Sequence, residues 1–481
     1  MSCEIRKLIN KYKSMPDAAK ASLWFVFCGF LIRGISTITT PIFTRLMNTQ
    51  EYGQYSVFNS WLEIITIFVT LRLGYGVYIQ GLVKYSDEKD ELSSSLLGLT
   101  TLLVSIVFVV YFCFRNFFNR LLDTSTTMMI CMFLIIISTT TFDFWSARER
   151  NSFKYKNLVK LTIGVAIINP LMGIILVLFT SGNKAEARVI SITAVYLFFY
   201  TYIYYATFKK GKKFYSKKFW EYGLKFNLPL VPHFLSQFIL NHSDRLMISA
   251  LIGTSEAGIY SLAYSIAAIL SILNTSIENT LRPWVFQKIK NNQIEKIQPV
   301  SMIAIIVVAL FNICLIAFSP EIVDIFAPKA YSNAVYIIPP VTMGIYFAFI
   351  YNIFVDVEMY YEKNKAVMIA SSIGAIVNVV LNYLLIPIVG YYVAAYTTLL
   401  SYLLIAILHY HFMQKMLKSH ANGVCIYNPK YILLISTLFL IIGLAFFAFK
   451  DHFAIRTVFA LIISILIFKN RKNLNYKNMM K

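Results

Sequence analysis

The chain is a succession of long apolar runs separated by short, mostly basic loops. A bilayer core takes roughly 20 mostly apolar residues per helix, so run length alone points to repeated membrane crossings. Reading for such runs gives about fourteen spans. Six lie between Ala21–Leu46 and Val189–Phe208, six between Leu224–Leu251 and Tyr391–Met413, and two follow, Tyr431–Phe449 and Phe453–Phe468. The second span is read as one continuous helix, Tyr55–Leu82. Composition agrees: only 14% of the 481 residues are charged, against about 25% in soluble domains, too few to cover a water-exposed sphere of this size. The basic N-terminus from Arg6 to Lys20 precedes an apolar stretch too long for a signal peptide and without a small-residue cleavage site, so that stretch reads as the first transmembrane helix. The expected fold is an all-α polytopic membrane protein.

Orientation follows from the Lys and Arg positions. With the N-terminus in the cytoplasm and each helix reversing direction, about three quarters of the 44 basic residues fall on the cytoplasmic side. The densest clusters, Arg148–Lys160 and Lys209–Lys225, both lie there. An even number of spans with both termini cytoplasmic is expected. The net charge of +21 then faces anionic lipid headgroups and calls for no nucleic-acid partner.

An internal repeat organises the spans. Leu46–Ser60 aligns without gaps on Leu251–Ser265, with identities at Leu46/Leu251, Thr49/Thr254, Glu51/Glu256, Gly53/Gly258, Tyr55/Tyr260, Ser56/Ser261 and Ser60/Ser265. Seven identities in fifteen positions exceed the roughly one expected from ordinary residue frequencies. A weaker echo pairs Asp143, Glu149 and Asn151 with Asp356, Glu362 and Asn364. Both copies of the main motif join the first and second helices of a six-helix set, which is a parallel repeat. It implies two bundles related by an axis along the membrane normal, with a central cavity between them, the architecture of a transporter. The expected division is an N-lobe over 1–208, a C-lobe over 209–424 and a C-terminal helix pair over 425–481.

No cofactor or metal is expected. The six cysteines (Cys3, Cys28, Cys113, Cys131, Cys314, Cys425) are scattered without metal-ligand spacing. His409, His411 and His420 sit at or beyond a helix end, with no companion carboxylate in metal geometry, and read as surface residues.

Three segments carry a family resemblance. Pro41–Ser56 resembles the end of the first helix in the polysaccharide-exporter family, Asp244–Ser261 its seventh-helix signature, and Asn378–Gly390 followed by Ala394–Thr397 its eleventh-to-twelfth-helix turn. Val393 stands where that family often has glycine. The resemblance spans about residues 20–415 and implies the multidrug/oligosaccharidyl-lipid/polysaccharide (MOP) superfamily, most like the O-antigen or capsule repeat-unit flippases of Wzx type. It further implies a V-shaped pair of lobes in the bacterial inner membrane. By alternating access these would pass an undecaprenyl-diphosphate-linked oligosaccharide to the outer leaflet. Functional coupling to a polysaccharide polymerase and glycosyltransferases would follow.

Such a cargo needs a polar path, and each ionisable residue at membrane depth is a candidate for it. Arg33 lies well inside the first span, with Ser36, Thr37 and Thr40 on the same face. Guanidinium offers phosphate a rigid fork of donors, which assigns Arg33 to diphosphate or acidic-glycan contact; the competing reading is an ion pair with Glu63. Glu63 shares a face with Asn59, Thr66 and Thr70 and suits proton or cation coupling, or else a plain salt bridge, while Arg72 joins the substrate set. On the seventh helix His233, Gln237, Asn241 and Asp244 form a continuous polar stripe after Pro229 and Pro232, and Arg245 follows. Gln237, Asn241 and Arg245 are assigned to substrate, His233 and Asp244 to ion coupling. Glu278 (coupling) and Arg282 (substrate) stand four apart, the spacing of a local ion pair. Asp143 and Asp356, at equivalent repeat positions, are assigned to gating the cytoplasmic mouth.

Two other functions compete. A membrane polymerase or glycosyltransferase needs a sizeable external loop for its catalytic groups, whereas the external loops here stay within about 15 residues, and no Walker lysine motif is present. A drug/cation antiporter of the same superfamily predicts an apolar cavity with isolated acids. Arg33, Arg72 and Arg245 at membrane depth favour anionic cargo instead.

Overall fold

Apolar runs this long bury their backbone hydrogen bonds internally only as helices, and every regular element described is helical. The computed structural model describes residues 14–361, 364–420 and 426–459, with backbone alone for 17–19, 22, 233, 364–366 and 420. Cys3, Cys425, Glu362, the bases Arg6 to Lys13, the last expected span beyond Phe459, and the side chains of His233, Asn364 and His420 lie outside the described residues.

The chain forms two compact units. The first takes the described residues up to Met47 and then Gln54–Leu235; the second takes Asn48–Gly53 and the described residues from Ser236 onward. Helices of the first unit are α1 (Asp17–Leu46), α2 (Thr49–Thr70), α3 (Val77–Lys84), α4 (Lys89–Cys113), α5 (Arg115–Leu122), α6 (Thr126–Asn151), α7 (Tyr155–Phe179), α8 (Lys184–Gly211) and α9 (Lys217–Asn227). Then come α10 (Val231–Leu251), α11 (Thr254–Lys290), α12 (Ile297–Ala317), α13 (Ser319–Phe326), α14 (Ile338–Tyr360), α15 (Asn364–Val389), α16 (Val393–His420) and α17 (Pro429–Ala448). The first turn of α2 belongs to the second unit, and the first turns of α10 to the first.

Eleven described helices are long and apolar enough to cross a membrane, against the about fourteen read from sequence. α2 and α10 fall short although they have 22 and 21 residues. At 1.5 Å per residue either measures about 30 Å. Their polar side chains, Asn59 and Glu63 on α2 and Gln237, Asn241 and Asp244 on α10, dilute the hydropathy. The continuous second span is a correction: α2 stops at Thr70, Leu71 and Arg72 take positive φ (49° and 51°), and Gly76 (66°) precedes the short α3. The Asn227 amide nitrogen holds this turn by donating to the carbonyls of both Leu71 and Arg72, each at 2.8 Å.

Residues 209–235 pack with the first unit rather than opening the second. α9 is amphipathic, and it buries Phe219 and Gly223 while Trp220 donates its indole N–H to the Ser95 carbonyl. Lys213 and Lys218 reach Glu91 and Glu88 at 2.9 and 2.7 Å. In the second unit α14 is the most enclosed of the described helices, packed against α11, α12, α16 and α17, and it buries apolar residues on every side up to Tyr351. Beyond α17, Arg456 grips both carboxylate oxygens of Glu321 on α13 (2.9 and 2.6 Å) and the Ala317 carbonyl. That guanidinium holds the Glu321 carboxyl below its ordinary range.

The repeat identities acquire a physical reason here. Asn48 and Glu51 form a reciprocal capping box, Glu51 N–H to Asn48 Oδ1 at 2.8 Å and Asn48 N–H to Glu51 Oε2 at 3.0 Å. The first turns of α2 and α11 then cross at their glycines. A Cβ on Gly53 would stand 1.8 Å from the Thr254 carbonyl oxygen, and one on Gly258 would stand 2.2 Å from that of Thr49. Ser255 Oγ donates to Thr49 Oγ1 at 2.7 Å. Thr49/Thr254 and Gly53/Gly258 are equivalent repeat positions, so the contact is reciprocal: each copy's glycine admits the other's threonine carbonyl.

Candidate functional site

Each unit encloses polar chemistry of its own. In the first, α1, α6, α7 and α8 surround a cavity of ≈ 320 Å³. Its polar lining includes Ser36, Thr139, Asp143, Thr162, Asn169 and Arg188, with Tyr196 and Tyr200 as walls. Asp143 is exposed to this space, so it lines a cavity inside the bundle. Arg188 is buried, donating from Nη1 to the Asn169 carbonyl (3.0 Å) and Ser191 Oγ (3.1 Å), its guanidinium lying 4.6 Å from the Phe43 ring centroid. Gly173 makes room for it: a Cβ there would meet Nη1 at 2.3 Å. Among the described residues, the buried Arg188 Nε and Asn169 Oδ1 have no hydrogen-bond partner. Sequence reasoning missed Arg188 because it started the sixth span at Val189; Asn183 caps α8 earlier, accepting from the N–H groups of Ala185 and Glu186, and carries Arg188 inside.

Glu63 is paired, but with Arg72 rather than Arg33, at 2.6 Å. The left-handed turn after Thr70 folds Arg72 back along α2, a geometry that a continuous helix forbids. Arg33, near the middle of α1, is exposed, and its side chain has no hydrogen-bond or ion-pair partner among the described residues.

The second unit holds a fully enclosed network around Asp244. Its Oδ1 accepts from Asn382 Nδ2 (2.7 Å), and its Oδ2 accepts from Tyr260 (2.5 Å) and Thr398 (2.7 Å) hydroxyls. Asn378 Nδ2 donates to Thr398 Oγ1 at 3.0 Å, and the Thr397 hydroxyl donates to Asn382 Oδ1. A single carboxylate therefore gathers donors from α11, α15 and α16. Asn378 and Asn382 stand four apart on α15, a polar pair in an apolar helix that was visible in sequence although no role was assigned to it. Of the rest of the α10 stripe, Asn241 accepts from Tyr402 (3.2 Å), and Arg245 bonds the Asn241 carbonyl and covers the Tyr264 ring at 4.5 Å. Gln237 contributes its backbone carbonyl to Asn241; the side chain of His233 lies outside the described residues.

Two expectations need correction at the far ends of α11, α14 and α16, the Glu278–Arg282 pair and the surface position of His409. Glu278 and Arg282 do not pair with each other: Asn352 donates to Glu278 at 3.0 Å, and Arg282 Nε bonds Asp356 at 2.5 Å. Packing against α14 offers both side chains better-placed partners than the helix surface does. Asp356 and Asp143 also differ despite their equivalent positions, since Asp356 is buried in an ion pair while Asp143 faces a cavity. His409 is not a surface residue. α16 continues to His420, so His409 lies well inside it, fully buried, with Nδ1 3.1 Å from both carboxylate oxygens of the equally buried Glu358. His409→Phe should cost about 3–5 kcal/mol by stranding a buried carboxylate. Glu358→Leu combined with His409→Phe should recover most of that loss. Apparent melting temperatures of the purified variants check this, and equal single and double losses would refute the pairing.

Among the described residues no group of His, Cys, Asp and Glu has metal-binding geometry. The described helices form an all-helical, multi-pass membrane protein with a polar interior in each unit. Residues 18–289, more than half of the chain, match the family model described as polysaccharide biosynthesis protein, and 229–384 match the MatE model. The chain belongs to the polysaccharide biosynthesis protein family. Among curated relatives, an uncharacterized membrane protein of Haemophilus influenzae is 22% identical over 354 residues, covering 70% of this chain and 82% of the relative. The Lsg locus putative protein 1 of the same organism is 21% identical, covering 70% and 84%. A structure of the lipid II flippase MurJ in an inward closed conformation superposes with a TM-score of 0.70 at 16% identity, covering 95% of this chain and all of that one. An inward-facing multidrug resistance MATE family transporter gives 0.63 at 11% identity, covering 82% and 96%. At these identities the likeness establishes the fold.

Proposed function

We propose that this chain is a flippase that moves undecaprenyl-diphosphate-linked oligosaccharide repeat units from the cytoplasmic to the outer leaflet of a bacterial inner membrane by alternating access. The observation that carries this reading is the state of the intramembrane arginines. Arg72, Arg188, Arg245 and Arg282 are each held by protein groups, whereas Arg33 is exposed and has no side-chain partner among the described residues. An unpaired cation at membrane depth is costly, and an anionic guest such as a diphosphate offsets that cost. Membership of a polysaccharide biosynthesis family supports a glycan cargo, and the named activity of MurJ shows that this fold can accompany a lipid-linked one. The hydroxyl- and amide-lined cavity beside Asp143 and Arg188 suits a sugar.

Ion coupling falls to Asp244 in this reading. Glu63 is engaged by Arg72 and Glu278 by Asn352, whereas Asp244 combines a carboxylate with amide and hydroxyl oxygens in one enclosed cluster. Asp143 and Asp356 remain the proposed gating pair. Arg33→Ala should abolish surface polysaccharide in a strain depending on this chain, and Arg33→Lys should retain part of it, since lysine keeps the charge but loses the fork. Normal surface glycan with Arg33→Ala present in the membrane at wild-type level would refute the assignment. Drug efflux lost while glycan export persists would instead favour the antiporter reading.

A further inference from the structure

Where α6 ends and α7 begins, the first unit carries two adjoining cavities that take no part in the polar interior described above. One, of ≈ 340 Å³, is walled by Trp145, Arg148, Asn157, Tyr202 and Lys210. The other, of ≈ 330 Å³, is formed by the α6–α7 turn, with Lys154 and Lys156 on its rim. Glu149 and Asn157 line both, so the cavities share a wall. The left-handed turn at Phe153 (φ 53°) lets the chain reverse here and puts Lys154 and Lys156 on this one rim.

Charge around the two mouths is unbalanced. Asp90 is taken by Arg148 (2.5 Å), Glu91 by Lys213 and Glu88 by Lys218. Lys154, Lys156 and Lys210 are exposed and have no ion-pair partner among the described residues. Against three such bases stands one carboxylate, Glu149, in the shared wall. The flank beside them is lipid-facing in character. Phe198, Tyr202 and Tyr205 recur at i, i+4 and i+7 on α8 and are 80%, 76% and 63% exposed, the amphipathic aromatic pattern of a membrane interface. Tyr202 belongs both to this face and to the first cavity.

We propose that the paired cavities bind the headgroup of a phospholipid carrying two phosphates, of the cardiolipin class, from the leaflet that the basic asymmetry assigns to the cytoplasm. Each cavity is large enough for one phosphodiester. Lys210 serves one phosphate, and Lys154 with Lys156 serves the other. Basic pockets between transmembrane helices at this level are suited to such headgroups. Lipid-facing α8 accommodates the acyl chains. The inference is independent of what the protein transports.

Native mass spectrometry of the full-length protein, exchanged against cardiolipin, phosphatidylglycerol, phosphatidylethanolamine and a polyprenyl diphosphate, tests it. The wild type should retain cardiolipin over the other two phospholipids. The triple variant Lys154→Gln/Lys156→Gln/Lys210→Gln should lose roughly 100-fold in cardiolipin retention, from about fivefold per headgroup lysine. The charge-matched control Lys329→Gln/Lys415→Gln/Lys430→Gln, altering exposed lysines of the second unit, should keep it. Equal retention of the three phospholipids, a triple variant that loses the polyprenyl diphosphate but keeps cardiolipin, or an equal loss in the control would each overturn the proposal.

Discussion

Gly53→Ala is expected to leave little folded, monodisperse protein. The added methyl would meet the Thr254 carbonyl oxygen at 1.8 Å, with that residue's carbonyl carbon at 2.9 Å and the Gly258 nitrogen at 3.1 Å. Overpacking commonly costs about 1–3 kcal/mol when neighbouring side chains can shift. Here the obstacle is backbone at the start of a 37-residue helix, so the cost should reach or exceed the top of that range. Gly34→Ala is the matched control, because a Cβ there meets nothing within 4 Å, and alanine inside a helix should stabilise it by about 0.5–1 kcal/mol. Size-exclusion profiles and apparent melting temperatures of the two variants should therefore diverge in opposite directions from wild type. If Gly53→Ala melts with the wild type, the crossing of the α2 and α11 turns is wrong.

Asp244→Asn should have the largest effect on transport. The carboxylate accepts from three donors, each within 2.7 Å, and hydrogen bonds to a charged group contribute about 1.5–3 kcal/mol each. Asparagine keeps the shape but sets an N–H₂ group among hydroxyls and another amide. The hydroxyls can rotate to accept, so insertion and folding should survive with reduced stability, whereas the negative charge that would bind a coupling cation is gone. Surface glycan should fall to the level of a deletion strain, and reconstituted transport should become indifferent to an imposed ion gradient. Thr398→Val, which removes one donor and keeps the charge, should retain gradient dependence at a lower rate. Gradient-driven transport at wild-type rate by Asp244→Asn would move coupling elsewhere.

The site was legible in sequence to the extent that single helices carry it. The α10 stripe of Gln237, Asn241 and Asp244 stood out because a period of 3.6 places those residues on one face of an apolar segment. What joined the stripe was not legible: Tyr260, Asn382 and Thr398 come from three other helices, and no spacing along the chain relates them. The partners of buried charges were not legible for the same reason. Glu278 and Arg282, four apart, each turned to α14, and Glu63 found Arg72 across a helix break rather than Arg33. His409 was misread because the apolar run thins before α16 ends, while the helix itself continues to His420.

The membrane-spanning, all-helical character of the chain, the repeat that opens α2 and α11, and the polar faces of α2 and α10 were determined by sequence alone. They depend on local composition and period, which a linear reading samples directly. Tertiary structure decided which buried charges are neutralised and which remain available: Arg72, Arg245 and Arg282 engaged, Arg33 left open, Asp356 paired and Asp143 lining a cavity. Those outcomes depend on which helices meet and at what register, and a shift of one turn exchanges every partner. The Gly53/Gly258 crossing belongs to both levels. The sequence displayed the identity twice, but only the packing of one copy against the other explains why no side chain fits there.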